Sequence, residues 1–429
     1  MPDTTTAPTA GPNDLLEALR SILAAARESS TGLADASRSA NYKTQVANLR
    51  VYNMGATLKD VIVRDPRFLG DVVRMVASPN GKSGFYPNFL GQQMVQRLLE
   101  SDSPEKTIQW LLKVLHTSEA DGHMITLLRG VSVAARVQLT PRLVLVPLNE
   151  LPDSPQKRRM ARVEHHFDLP VRELLEWEPP SAALVLSYRA HPFLVGAGNS
   201  LPDQYIADCE FVADAILALT LVGPRIAMRV ADWFNFADPD LDAAQLAHSF
   251  GVSSVEVVPN QPLDTFPPFD VERAREVVDS FVKLEGRVKD KVRIALTRLK
   301  LALSRRSVGD KALEVAIAFE ALLEDGSRNE MTHKITVRTA QLIGGPQEVR
   351  ERNAAIVKKL YDVRSGLVHT GHVDASKPIR LRPGESKVPV DEVVALAIDL
   401  CADLIWIILR RRKIPNWPIF DVAESENAA

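Results

Sequence analysis

Two side chains near the C-terminus have the types and spacing for chemistry on a phosphodiester. Arg364 precedes His369 by five residues in the run Lys358-Lys-Leu-Tyr-Asp-Val-Arg364-Ser-Gly-Leu-Val-His369-Thr-Gly371. An imidazole titrates near neutral pH and can move the proton of a ribose 2′-hydroxyl. A guanidinium sets a permanent planar charge against the negative charge that builds on a phosphate during cleavage. Together they can cut RNA with no metal ion. Spacing alone is a weak signal. A second Arg-x4-His pair, Arg328 and His333, is present, and Arg159 to His165 is one residue longer. On spacing alone, a solvated helix end carrying a satisfied histidine is the better explanation of the pair, so the setting has to decide.

The chain has 429 residues, too long for one ordinary core, and two folded units are the natural expectation. Its hydrophobic share of 45% and charged share of 25% are those of a soluble globular protein. The net charge of −2 excludes a generally basic coat, so any contact with RNA must come from local patches. The two cysteines, Cys209 and Cys401, are far apart in sequence and surrounded by apolar residues. They read as buried thiols in a reducing cytoplasm, and neither a disulfide framework nor a zinc site is suggested. No metal or cofactor is expected. Residues 1–12 form a Thr/Pro/Ala-rich leader expected to be disordered, with neither the basic start nor the apolar core of a signal peptide. The greasiest stretch, Val390 to Leu409, is interrupted by Asp391, Glu392, Asp399 and Asp403, and is expected to be a core helix rather than a membrane span.

Residues 13–268 are expected to form an α+β domain of unknown role. Helical spacing runs from Asp14 to Glu28 and from Glu105 to His116; Pro152 to Trp177 is charged and helical in period, and Ile206 to Leu221 reads as a buried helix. Arg142 to Pro147 and Ala183 to Tyr188 read as strands. Pro262, Pro267 and Pro268 mark a boundary. Beyond it the texture is nearly pure helix over residues 269–415, with 416–429 left as a tail. Val271 to Arg305 is one long amphipathic stretch. Asp310 is a plausible N-cap for a helix ended by Gly326. Met331 to Ile343 and Val349 to Val368 follow, then a polar loop from Ser376 to Pro389 and the last helix, Val390 to Arg412. Short turns and facing apolar stripes predict an up-down bundle, and the fold class is mainly α.

Three blocks in this order carry a resemblance: Asp310 to Leu323 with Glu320, Glu330 to Leu342 with Lys334 and Arg338, and Leu360 to His369. They resemble the HEPN superfamily, most closely its Apea-like branch, over residues 271–413. One departure stands out. Family members commonly have glycine directly after the histidine, and here Thr370 precedes Gly371. The resemblance implies a helical bundle that forms a homodimer, with Arg364 and His369 at the signature positions and Ser365 at a site usually held by a small polar group. It also implies metal-independent endoribonuclease activity in a toxin or antiviral-defence setting, RNA as substrate, and an antitoxin or sensor as a possible protein partner. A non-catalytic module of the same family, binding RNA or protein, is the alternative.

Residues five apart on a regular helix point about 140° apart. Arg364 and His369 can converge within one chain only if the helix ends or distorts between them, and Gly366 is the expected place. A two-fold dimer can instead gather two copies of the motif around one phosphate. Four neighbours have two readings each. Tyr361 could stack on a base or belong to the core. His372 could share proton transfer or lie on the surface. Glu320 could hold Arg364 or be a solvated carboxylate. The run Arg410 to Lys413 could bind phosphate or simply complement a helix C-terminus. Gly81-Lys82-Ser83 is not a phosphate loop, because Val76 stands where the first glycine is needed. Gly196 to Gly198 lacks a third glycine, and Glu164-His165-His166 lacks helix-spaced ligands.

Overall fold

The structure is a computed structural model that describes residues 13–30, 53–65, 73–78, 81–85, 87–154, 156–157, 180–191, 193–195, 203–223, 225–244, 251–252, 269–326 and 330–422. The leader, the proline-marked boundary and most of the Pro152 to Trp177 segment lie outside the described residues.

The chain is mainly helical with a small antiparallel sheet component. Helices α1 (Asp14–Ser30), α2 (53–64), α3 (Pro87–Ser101) and α4 (Pro104–His116) come first. Strands β1 (Val73–Ser78) and β2 (Gly81–Phe85) pair antiparallel, and β1 also takes β7 (Phe193–Val195). The Gly81-Lys82-Ser83 run is therefore strand, not loop. A six-stranded antiparallel sheet has the order β4-β5-β6-β3-β8-β9, from β3 (Ala120–Arg129), β4 (Val137–Gln138), β5 (Leu143–Pro147), β6 (Ala182–Ala190), β8 (Met228–Phe236) and β9 (Gly251–Val252). Two of these, β5 and β6, coincide with the expected strands. The long β3 and β8 were not expected from the sequence. The reason is burial on both faces: Met124 and Leu128 of β3 face one apolar cluster, whereas Ile125 and Leu127 join Val185, Val230 and Trp233 in another. Strands covered on both sides lose the alternation that marks a half-exposed strand.

Helices α5 (Asp203–Ala218) and α6 (Pro239–Ala244) complete this part, and α7 (Val271–Val282) begins the helical one. Val271 to Arg305 is two helices rather than one: after α7 the chain turns, and α8 (Gly286–Ser304) starts at Gly286 with φ +55°, a conformation glycine adopts without strain. Next comes α9 (Val308–Leu323). Its N-cap is Ser307, not Asp310; the Ser307 hydroxyl accepts from the Asp310 N–H at 3.3 Å, and Asp310 sits in the first turn, where a carboxylate favours the helix dipole. It stops three residues before Gly326, capped by Glu324. Helices α10 (Met331–Ile343), α11 (Gln347–Thr370), α12 (Val390–Arg411) and the short α13 (Trp417–Phe420) follow. Between α11 and α12 the expected polar loop contains a hairpin, β10 (Pro378–Arg380) with β11 (Lys387–Pro389). Residues 416–422 are not a loose tail, since Trp417 is buried at 4% exposure. Cys401 is fully buried on α12, and burial pushes its thiol pKa up; Cys209 on α5 is only half-buried. Among the described residues no helix is long and apolar enough to cross a membrane.

One continuous set of buried side chains runs from Leu15 on α1 to Trp417 on α13, so the sheet-bearing part and the helices share a core. Asp214 on α5 ties the two. It accepts two bonds from Arg293 of α8, both 2.9 Å, and sits 3.0 Å from Lys289. Replacing Asp214 with Ala is expected to cost about 1.5–3 kcal/mol, the range for hydrogen bonds to charged groups. Thermal unfolding checks this; an unchanged melting temperature would show that the bridge adds nothing.

Candidate functional site

Helix α11 carries the motif. Gly344 and Gly345 end α10, and Pro346 precedes the first turn of α11 with its fixed φ. Ile356, Val357, Leu360, Tyr361 and Val363 are buried and seat the helix in the core. Gly371, at φ +69°, closes the helix by donating its N–H to the Leu367 carbonyl at 2.8 Å. The Thr370 hydroxyl bonds back to the Gly366 carbonyl at 2.7 Å, and the Thr370 hydroxyl oxygen accepts the His372 N–H at 3.4 Å. Thr370 therefore serves the helix end, in the place where the resembled family has glycine.

The expected break at Gly366 is absent. α11 runs unbroken through it to Thr370, because the last turn is satisfied at Thr370 and Gly371 and nothing forces a kink earlier. In one chain the two motif side chains therefore diverge by about 140°, at about 100° per residue. Arg364 faces α9. Its Nη2 lies 3.7 Å from the Glu320 carboxylate, and its guanidinium carbon is 5.8 Å from the Tyr361 ring centroid. The Tyr361 hydroxyl donates to the same Glu320 oxygen at 3.2 Å. Burial first, and the Glu320 charge second, push the Tyr361 pKa far up, so the phenol stays a protonated donor. The Arg364 side chain is 36% exposed, yet its Nε is buried without a hydrogen-bond acceptor. The buried Nε cannot reach a ligand, but the exposed part of a guanidinium held on one side by a carboxylate can take a second anion.

His369 faces outward. It is exposed, as is Ser365 four residues before it, and the two lie on the same face of α11. Among the described residues its imidazole makes no hydrogen bond. His372 is exposed beyond the helix end. So the structure brings Glu320, Tyr361 and Arg364 into one cluster and sets Ser365 and His369 on an adjacent solvent face.

No protein family, curated protein or solved structure matches this chain.

Sequence reasoning passed over a cavity of about 630 Å³ in the sheet-bearing part, lined among others by His123, Arg142, Tyr188, His191 and Asp208. Arg142 donates to Asp208 at 2.7 Å there, and burial, helped by the charge of Arg136, holds the His123 pKa below its usual value. These residues are 85 apart in sequence and carry no local motif, so only the β3–β6 pairing and α5 reveal them. Among the described residues no cluster of three or more His, Cys, Asp or Glu side chains is arranged to hold a metal ion.

Gly366 offers a direct test of the unbroken helix. A Cβ added there meets nothing within 4 Å, and glycine inside a helix is less stable than alanine by roughly 0.5–1 kcal/mol. Gly366→Ala is therefore expected to raise the melting temperature. A lower one would show that the helix needs glycine's freedom at this position.

Proposed function

We propose that this protein is a metal-independent endoribonuclease of HEPN type, built on a homodimer of helical bundles and acting in the cytoplasm as a toxin or antiviral-defence effector. The observation that supports it is the part-exposed Arg364, held beside Glu320 and Tyr361, next to an exposed Ser365–His369 face at the end of the same helix. His369 removes the proton of a ribose 2′-hydroxyl. The 2′-oxygen attacks phosphorus, and the 5′-oxygen leaves with a proton delivered by an imidazole. Arg364 binds the phosphate and the charge that develops on it, and Ser365 orients one of these partners. The products are a 2′,3′-cyclic phosphate and a 5′-hydroxyl, and DNA, lacking the 2′-hydroxyl, is inert. Because the two side chains diverge within one chain, the working site gathers groups from two copies about a two-fold axis. The region before residue 269 supplies the surface for a sensor ligand or an antitoxin.

The unbroken α11 favours one second reading, a non-catalytic module that binds RNA or protein. Incubating the purified protein with RNA and with matched DNA in EDTA separates the two. Cutting of RNA alone supports the nuclease. Retention of uncut RNA in a gel shift supports the binder and ends the nuclease reading.

A further inference from the structure

The hairpin between α11 and α12 carries a charge arrangement that its own stability does not explain. Arg380 of β10 and Lys387 of β11 stand directly opposite each other in the register, and both are exposed. Like charges at opposed positions of an antiparallel pair destabilise it. A hairpin of two three-residue strands has little stability to lose.

Carboxylates are abundant nearby but are used elsewhere. Arg382, also on this hairpin, is tied to Glu385 at 2.6 Å, Glu348 at 3.5 Å and Glu351 at 3.7 Å. Asp374 accepts from the Ser376 backbone and hydroxyl, and Asp391 accepts from the Glu392 N–H. Among the described residues neither Arg380 nor Lys387 makes a hydrogen bond or an ion pair. The hairpin is nonetheless firmly seated. Ile379 and Val388, opposed on its inner face, pack against the core, and Arg382 fastens it to the first turn of α11. Two cations are thus held side by side, facing water, on an element anchored to the first turn of α11, the end of that helix opposite His369. The chain leading there from His369 adds exposed His372 and Lys377.

We propose that the outer face of this hairpin, through Arg380 and Lys387, binds the sugar–phosphate backbone of single-stranded RNA and holds it at a surface separate from the α11 site. The proposal rests on the RNA reading above and adds the element that holds the substrate. In a chain of net charge −2, it is a local patch of the type an RNA contact requires.

The test uses the full-length protein carrying His369→Ala, so that RNA stays intact, and a fluorescein-labelled single-stranded RNA titrated in EDTA over a range of NaCl concentrations. Each phosphate contact on a single strand contributes about 0.7 to the slope of log K against log salt, so Arg380→Ala with Lys387→Ala is expected to reduce the slope by about 1.4. With His369 restored, the double variant raises KM for RNA and leaves kcat in place. Lys387→Glu, which sets an acid opposite Arg380, is expected to weaken RNA binding while leaving the apo melting temperature equal or higher. A merely structural role predicts both to fall together. If the wild-type protein cuts RNA while the hairpin variants keep its slope and KM, the hairpin proposal is overturned and the nuclease stands. If the wild-type protein neither binds nor cuts RNA, both fall.

Discussion

Replacing His369 with Ala lowers RNA cleavage by about 10²–10⁴-fold, the usual contribution of a positioned general acid or base. Folding is untouched, because the imidazole is exposed and has no partner among the described residues; surface changes of this type stay within about 0.5 kcal/mol. Arg364→Ala loses cleavage as well, and Arg364→Lys does not restore it, since an ammonium cannot hold Glu320 and a phosphate with one planar fork. The divergence of the two side chains on α11 sharpens the expectation. Mixing Arg364→Ala protein with His369→Ala protein, after subunit exchange, leaves heterodimers that still hold one guanidinium and one imidazole at the shared site. The mixture is therefore expected to cut RNA faster than either variant alone. A mixture no better than its components would remove the two-copy site, and a fully active His369→Ala protein would remove the imidazole from the chemistry.

What could be read in advance follows how locally each feature is encoded. Met331 to Ile343 was legible to the residue, because apolar spacing and the Gly344–Gly345 stop lie within one short window. α11 and α12 were legible within two residues for the same reason. β3 and β8 were not, because a strand buried on both faces shows an apolar run without period. The break between α7 and α8 was missed since residues 283–285 keep the helical pattern and only the positive φ of Gly286 shows the turn. At the site, the partnership of Glu320 with Arg364 was open to either reading, and it is settled by α9 lying against α11. Thr370 looked like a departure from a pattern, whereas its hydroxyl bonds close the helix end. The hairpin cations were illegible, because register sets Arg380 against Lys387 and six residues separate them in sequence.

Replacing Arg338 with Ala is expected to be the most damaging single change in the helical part. Its side chain is 1% exposed, and each of its three nitrogens donates. Nε and Nη2 donate to the two Asp421 oxygens at 2.8 and 2.7 Å, Nη2 also donates to Asp325 at 2.6 Å, and Nη1 donates to the Leu323 carbonyl at the end of α9. The guanidinium carbon lies 5.1 Å from the Trp417 ring centroid. One side chain from α10 thus satisfies a terminal carbonyl of α9 and clamps the α13 segment onto the bundle. Removing it takes from Asp325, 15% exposed, its 2.6 Å partner, leaving Lys334 at 3.3 Å, and opens a large void beside Trp417. Breaking a buried pair on one side costs about 3–5 kcal/mol, which for a domain of 150–250 residues lowers the melting temperature by roughly 10 °C. Asp421 is 32% exposed and can be replaced by water, so Asp421→Asn costs less than half as much. Arg338→Lys falls between them, keeping the charge and losing the fork. Thermal unfolding of the three variants reads this order directly. If Arg338→Ala melts within about 2 °C of the wild type, a shift worth under 1 kcal/mol, the C-terminal segment is not held by this guanidinium.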